Sequence, residues 1–85
     1  MFGNFYRVSY YINNGKSMEY SALDKLIIAD TKYDALNWAL HHMKDEINDV
    51  SEEYMAEISD NCILIIDRKT NHVARKLCNF EIKQR

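Results

Sequence analysis

Apolar and polar side chains alternate along the first segment of the chain, from Phe5 to Ile12. One face carries Tyr6, Val8, Tyr10 and Ile12, and the other carries Phe5, Arg7, Ser9 and Tyr11. Aromatic and β-branched residues that repeat at every second position are typical of a β-strand. The pattern therefore predicts that the chain opens with a strand.

A second strand is predicted to return beside the first. Asn14 and Gly15 readily adopt the positive φ angles of a two-residue hairpin turn, so we expect the chain to reverse there. The return strand starts near Ser17 and extends to Ala29. The alternation fails over Ala22–Lys25, which predicts a bend or a β-bulge within that strand.

A long amphipathic helix follows the hairpin. Thr31 and Asp34 have the spacing of a capping box, with Asp30 as the alternative cap. Apolar residues then recur at alternating intervals of three and four, namely at Tyr33, Leu36, Leu40, Met43, Ile47 and Val50. This stripe predicts a helix that packs on a sheet. A coiled-coil seam is the alternative, but the stripe is too short to favour it.

The remainder of the chain predicts two or three further elements. Ser51–Ile58 fits a short second helix, with a strand as the alternative. Cys62–Ile66 is uniformly apolar, which is typical of a central strand buried on both faces. Asp67–Asn71 has the composition of a turn. Val73–Ile82 then returns as the last strand.

These elements predict an α+β protein with the order β-β-α-(α)-β-β, in which one antiparallel sheet packs one face against a single long amphipathic helix. A chain of 85 residues is the size of one domain, so we expect residues 1–85 to form a single domain. A hydrophobic content of 47% argues against intrinsic disorder.

Charge is strongly segregated along the chain. Residues 45–67 contain eight acidic and no basic side chains, whereas residues 68–85 contain six basic side chains and one acidic side chain. Two interpretations follow. The two segments can lie side by side and neutralise each other, or one of them can face a charged partner.

The sequence also bears on the compartment. It contains no apolar run long enough to span a bilayer, and its first residues do not resemble a secretory signal. Its two cysteines, Cys62 and Cys78, form no CxxC motif and lie in apolar strand contexts. We therefore expect a reduced cytoplasmic protein, with no membrane partner, in which both thiols act as small hydrophobic side chains.

No motif for catalysis or cofactor binding is present. The serines lack a nucleophile elbow, and the glycines form no phosphate-binding loop. His41 and Asp45 are one helical turn apart and could share a metal ion, but a third protein ligand is missing. We expect a protein that is not an enzyme and that binds no metal and no cofactor.

Trp38 suggests a contact surface. On a helical projection it falls opposite the apolar stripe, where an exposed indole is a candidate anchor for a protein partner. The alternatives are that the predicted second helix or a tail covers it, or that it is only half exposed. The predicted partner-binding residues are Trp38, His41, His42, Asp45, Asp49, Glu52 and Glu53.

A basic turn provides an alternative site. Arg68, Lys69, Arg75 and Lys76 cluster in the sequence, and Tyr11 belongs to a strand that could neighbour them. Basic side chains beside aromatic rings can hold phosphates and stack bases, so RNA is the alternative partner. An ordinary solvated turn is the other interpretation.

The segments YRVSYYINNGK and EYSALDKLIIADTKYDAL, within a small domain without a catalytic motif, resemble small accessory proteins encoded by bacteriophages. The resemblance implies a protein that acts in the host cytoplasm as a stoichiometric inhibitor of a host enzyme. Nucleases and toxins of defence systems are among the enzymes that such proteins inhibit. It assigns no functional residues. We therefore expect a monomer or small homo-oligomer that docks on a host macromolecule and inhibits it, with an RNA-binding module as the alternative.

Overall fold

The structure is a computed structural model that describes residues 3–13 and 19–85, with side chains for 3–11 and 23–85. The elements are β1 (Asn4–Asn13), β2 (Glu19–Ala29), α1 (Lys32–Val50), β3 (Tyr54–Ser59), β4 (Cys62–Asp67), β5 (Val73–Leu77) and β6 (Phe80–Gln84). The chain is therefore α+β, as its pattern predicts.

The prediction of a single sheet is wrong. The described residues form two antiparallel three-stranded sheets, with strand orders β2-β1-β6 and β3-β4-β5. The cause lies in the predicted last strand, which is interrupted at Cys78 and Asn79. The part before the break pairs with β4, and the part after it pairs with β1.

The predicted second helix is also wrong, and its alternative is confirmed. Helix α1 ends at Val50, and the Ser51 Oγ accepts a hydrogen bond from the Tyr54 N–H at 3.0 Å, which closes a turn into β3. Ala56 on β3 is fully buried, whereas its neighbour Glu57 is exposed. Side chains that alternate in this way belong to a strand with one covered face.

The N-terminal hairpin forms with the predicted irregularity. Tyr10 pairs with Leu23 and Tyr11 pairs with Ser21, so Ala22 is the extra residue of a β-bulge. The predicted turn at Asn14 and Gly15 lies outside the described residues.

Helix α1 begins with the predicted cap. The Thr31 Oγ1 accepts the Asp34 N–H at 3.1 Å and donates to the Asp34 Oδ2 at 3.0 Å. The apolar stripe is only partly buried. Leu40 and Met43 are buried, but Tyr33 is 72% exposed and Val50 is 83% exposed, since they lie in the first and last turns. Small residues complete the buried face, namely Ala35 and Ala39.

The turn predicted over Asp67–Asn71 is confirmed in detail. The Asp67 Oδ1 accepts the backbone N–H groups of Lys69 and Thr70 at 2.8 and 3.3 Å. Asn71 adopts a left-handed φ of 59°. An aspartate side chain that bonds the backbone just after it, followed by an asparagine at positive φ, is typical of a tight turn.

The chain divides into two compact units, with boundaries inside α1 and after Cys78. The first comprises Met1–Ala39 and Asn79–Arg85, and the second comprises Leu40–Cys78. In the first unit the buried side chains include Tyr6, Val8 and Tyr10, and the ring of Tyr10 lies 4.9 Å from that of Phe80. In the second unit Ile63 is fully buried.

The cysteines are not free thiols, contrary to the prediction. Cys62 and Cys78 form a disulfide, with their Cα atoms 4.6 Å apart. The register explains the pairing. Ile63 of β4 pairs with Leu77 of β5, and because the strands are antiparallel, Cys62 just before Ile63 lies opposite Cys78 just after Leu77. The sequence pattern does not fix this register. Disulfides are typical of oxidising compartments, so this bond removes the cysteine argument for a reduced protein.

Candidate functional site

An open groove of about 580 Å³ lies in the first unit. Its lining residues are Gly3, Ile27, Ile28, Ala29, Asp30, Asp34 and Trp38. The end of strand β2 supplies three consecutive lining residues, Asp30 follows them directly, and the first two turns of α1 supply Asp34 and Trp38. We call this the Trp38 groove.

Trp38 is 37% exposed, so the indole is partly open to solvent. This matches the half-exposed alternative of the sequence analysis. Trp38 lies on α1 one residue before the buried Ala39, at the border of the covered face. An indole that is partly packed and partly open can present a rigid apolar wall to a ligand at low entropic cost.

Strand β2, an outer strand of its sheet, supplies further apolar residues to the groove lining. Ile28 is 65% exposed and Leu26 is 52% exposed. Ile28 pairs directly with Phe5 of β1, which is also exposed, so their side chains lie on the same face of the sheet. Three large apolar side chains on one open face are a candidate contact surface.

Gly3 keeps one end of the Trp38 groove open. A Cβ atom at this position would lie 2.6 Å from the Ile28 Cγ2 and 3.4 Å from the Ala29 carbonyl oxygen. The first distance is far below van der Waals contact, so any side chain here would displace Ile28. The absence of a side chain at Gly3 therefore sets the position of the Ile28 wall.

The charge of the groove is negative. Among the residues whose side chains the structure describes, the ionisable ones that line it are Asp30 and Asp34, and none of these lining residues is basic. Both aspartates are exposed, and local bonds fix their backbones: the Asn4 Nδ2 donates to the Asp30 carbonyl at 3.2 Å, and Thr31 caps at Asp34. Two carboxylates beside apolar walls favour a ligand that carries a positive charge next to an apolar group.

Outside the groove, Arg7 of β1 and Asp24 of β2 form an ion pair across the hairpin. The Arg7 Nε and Nη2 donate to the two carboxylate oxygens of Asp24 at 2.9 and 2.8 Å. The hydrogen bond from Arg7, with added charge attraction, lowers the pKa of Asp24 against the opposing effect of burial. The same bond raises the pKa of Arg7. The two opposite charges of this pair neutralise each other.

The other predicted partner-binding residues belong to the second unit. His41, Asp45 and Asp49 are exposed on α1, and the His42 Nε2 lies 3.3 Å from the Glu46 Oε1. Glu52 and Glu53 are exposed in the turn after the helix. Of the predicted set, Trp38 alone lines the groove of the first unit.

The acidic and basic segments meet in a separate groove of the second unit, with a volume of about 420 Å³. Glu52, Glu53, Tyr54, Asp67, Arg68 and Lys69 line it. The Arg68 Nε donates to the Tyr54 carbonyl at 3.1 Å, and the Arg68 N–H bonds the Glu53 carbonyl at 3.0 Å. The two charge runs therefore lie side by side here, which favours mutual neutralisation over a phosphate-binding site.

The rest of the predicted nucleic-acid site is divided between the two units. Arg75 and Lys76 are exposed on β5, where they pair with Ile65 and Leu64. Tyr11 belongs to β1 of the first unit and is half-buried. Sheet β3-β4-β5 contains the basic residues and sheet β2-β1-β6 contains the tyrosine, so the expected pairing of basic and aromatic strands within one sheet does not occur.

Sequence reasoning missed the β2 side of the groove. The one available signal is the run Leu26–Ala29, in which four apolar residues succeed one another inside a strand. Successive strand residues point to opposite faces, so such a run either is buried on both faces or exposes apolar side chains. Here it exposes Leu26 and Ile28.

Within 3–13 and 19–85, no three histidine, cysteine, aspartate or glutamate side chains converge in a manner suited to a metal ion. In the same part of the chain, no helix combines the length and apolar character that crossing a membrane requires.

Comparisons with family models, curated proteins and solved structures found no match to this chain.

Proposed function

We propose that this protein is a non-enzymatic binding protein that docks on a partner protein through the Trp38 groove and inhibits that partner. The observation that supports docking is the groove itself, which a partly exposed indole and the exposed Ile28 line together with two carboxylates. Inhibition is what the resemblance to phage accessory proteins implies, with a host nuclease or defence toxin as the candidate target.

A protein partner fits the groove better than RNA does. Asp30 and Asp34 repel phosphates, and two of the four basic residues proposed for RNA, Arg68 and Lys69, share their groove with Glu52 and Glu53. Nonspecific affinity for nucleic acid depends on positive charge that is available to release counterions. RNA binding through the exposed Arg75 and Lys76 is the competing function, and affinity capture distinguishes the two.

The test is affinity capture from host lysate with three proteins: the wild type, Trp38→Ala and the matched control Tyr33→Ala. Tyr33 is an exposed aromatic residue in the first turn of the same helix, outside the groove. We expect the wild type and Tyr33→Ala to capture the same protein with and without nuclease treatment. Trp38→Ala should lose it, with a weakening of about 2 kcal/mol or more when affinity is measured.

Two results would contradict the proposal. Capture that disappears after nuclease treatment, or that Arg75→Gln abolishes and Trp38→Ala does not, would favour RNA binding. Melting curves of each variant are needed beside the capture, because Trp38 is largely covered and its loss also affects the fold. Activity assays of the captured enzyme, with increasing amounts of this protein, test the inhibitory part separately.

We propose that the protein acts in the cytoplasm as a monomer or small homo-oligomer. The disulfide between Cys62 and Cys78 is the feature that bears against this location, because cytosolic thiols are usually kept reduced. Rapid alkylation of thiols in intact cells, followed by mass measurement of the protein, decides the matter: two modified cysteines indicate a reducing compartment.

A further inference from the structure

We propose that the partner contributes an extended, positively charged segment that adds to strand β2 as a fourth strand, with one of its side chains in the Trp38 groove. This inference rests on the proposed function and deepens it. It specifies both the backbone geometry and the charge of the partner segment.

The edges of the two sheets differ in a way that singles out β2. The outer edge of β3 is closed at Ala56, because the Asn48 side chain bonds both the N–H and the carbonyl of that residue. The other outer strands, β5 and β6, have five residues each and include charged side chains such as Arg75 and Lys83. Short length and charge are the usual protection of an exposed edge.

Strand β2 is longer than these strands, and its charged residues Asp24 and Lys25 precede a stretch without charge. It is 11 residues long, and its last four residues, Leu26–Ala29, are uncharged. Within the described residues it pairs with β1 alone, so no strand covers its outer side. An uncharged stretch of four residues on an open strand edge is a template on which an extended peptide can form main-chain hydrogen bonds.

The groove includes the end of this same strand and supplies side-chain selectivity. Ile27, Ile28 and Ala29 line it with the last three positions of β2, and Asp30 follows directly. In a segment that pairs with β2 there, alternate side chains point to the same face of the extended sheet. One such side chain can contact the apolar indole of Trp38. Asp30 and Asp34 then favour lysine or arginine at a neighbouring position of the segment.

A second copy of this chain fits the edge less well. An antiparallel pairing of two β2 strands centred on Ile27 would place Leu26 opposite Ile28, which is favourable. The same register would place Asp24 of each copy opposite Asp30 of the other, and like charges directly across a strand pair are destabilising. The charge pattern therefore favours a basic partner segment over self-pairing.

The first experiment selects ligands from a library of random peptides of about six residues, the usual length of a strand. We expect the enriched peptides to alternate apolar with lysine or arginine residues. N-methylation of alternate residues along one edge of the best peptide should abolish binding, and N-methylation along the other edge should leave it unchanged, because only one edge bonds β2. Enrichment of acidic sequences, failure to enrich any peptide, or equal tolerance of both N-methylated forms would overturn strand addition.

The second experiment uses variants in matched pairs. Ile28→Lys places a charge on the β2 edge, and Val73→Lys does the same at an exposed residue of β5. Asp30→Asn removes a charge from the groove, and Asp60→Asn removes one from the turn between β3 and β4, where asparagine tolerates the φ of 53°. We expect Ile28→Lys to weaken peptide binding by about 30-fold or more, which is the hot-spot threshold, and Asp30→Asn to weaken it less and in a salt-dependent manner.

The controls should bind as the wild type does. Equal losses in Val73→Lys and Ile28→Lys would overturn the assignment to β2. Sedimentation of the protein alone tests self-pairing: a dimer that Ile28→Lys dissociates would replace the partner segment by a second copy. If Trp38→Ala still loses the captured protein while the N-methylated peptides bind equally, the proposed function stands and strand addition fails.

Discussion

The side-chain amide of Asn48 on α1 bonds both backbone groups of Ala56 on β3. The Asn48 Oδ1 accepts the Ala56 N–H at 2.9 Å, and the Nδ2 donates to the Ala56 carbonyl at 3.4 Å. Because β3 is an outer strand, these two backbone groups have no neighbouring strand to bond on that side within the described residues. The asparagine takes the place of such a strand.

Asn48→Ala should therefore destabilise the fold. The change leaves the N–H and carbonyl of the fully buried Ala56 without their partner, at a cost of about 1–3 kcal/mol. Urea denaturation measures it, with Asn37→Ala as the matched control on an exposed position of the same helix. Equal unfolding free energies for Asn48→Ala and the wild type would show that the bond is unimportant for stability.

A core position on β4 provides a second test of the fold. Ile63 is fully buried, so Ile63→Ala should lower the free energy of unfolding by about 2–5 kcal/mol, the usual range for large-to-small core changes. Ile28→Ala is the matched control, because it removes the same atoms from an exposed site and should change stability by less than about 0.5 kcal/mol. Similar losses for the two variants would mean that the assignment of core and surface is wrong.

Local signals in the sequence were sufficient for most of the individual elements. The alternation from Phe5 to Ile12, the Thr31–Asp34 cap and the Asp67–Asn71 turn are each determined by residues within a few positions of one another. The bulge at Ala22 was predictable for the same reason, since it breaks a period-two pattern. Such features depend on short-range sterics and hydrogen bonds, which a single sequence records.

The partition into two sheets was not predictable in this way. It depends on whether Phe80–Gln84 pairs with β1 or continues beside β4, and both choices satisfy the same alternation. The disulfide depends likewise on a cross-strand register between Cys62 and Cys78. The Trp38 groove has a long-range origin too, because it joins a helix to a strand edge and to Gly3, which lies before β1. A sequence pattern does not encode which distant segments meet.

Reduction of the disulfide should destabilise the oxidised protein. The bond closes a loop between residues 16 positions apart, and loops of this size contribute about 3 kcal/mol by restricting the unfolded chain. Denaturation with and without dithiothreitol measures the loss. The Cys62→Ala, Cys78→Ala double variant is the control, because its stability should not respond to the reductant. An unchanged midpoint for the reduced wild type would contradict this entropic contribution.

The pair formed by Arg7 and Asp24 predicts a pH dependence. The hydrogen bond from Arg7 lowers the pKa of folded Asp24, whereas the carboxyl of the unfolded chain titrates near its usual pKa of about 3.9. The stabilisation is therefore fully present above that value and is lost as the pH falls through the lower pKa of the folded state. Carboxyl NMR shifts of Asp24 should report this pKa directly.

Arg7→Gln should raise the pKa of Asp24 toward its usual range, and the stability difference from the wild type should shrink as the pH falls below about 3.9. Lys25→Gln is the control, since Lys25 is adjacent in sequence but is not among the groups that shift Asp24. A normal pKa for Asp24 in the wild type would show that the ion pair does not persist in solution, as is common for exposed pairs.

Trp38 is the single tryptophan of the chain, so its fluorescence reports on the groove alone. The indole shares the groove with Asp30 and Asp34, whose negative charges attract cations and repel anions. Relative to free N-acetyltryptophanamide, quenching by caesium should therefore be stronger than quenching by iodide. Asp30→Asn should reduce this asymmetry, high salt should reduce it further by screening, and Asp60→Asn should leave it unchanged.

A basic peptide that occupies the groove should suppress quenching by both ions and shift the emission to shorter wavelength, because it covers the indole. An asymmetry that favours iodide would show that the surroundings of Trp38 are not acidic, and the charge argument for a basic partner would then fail.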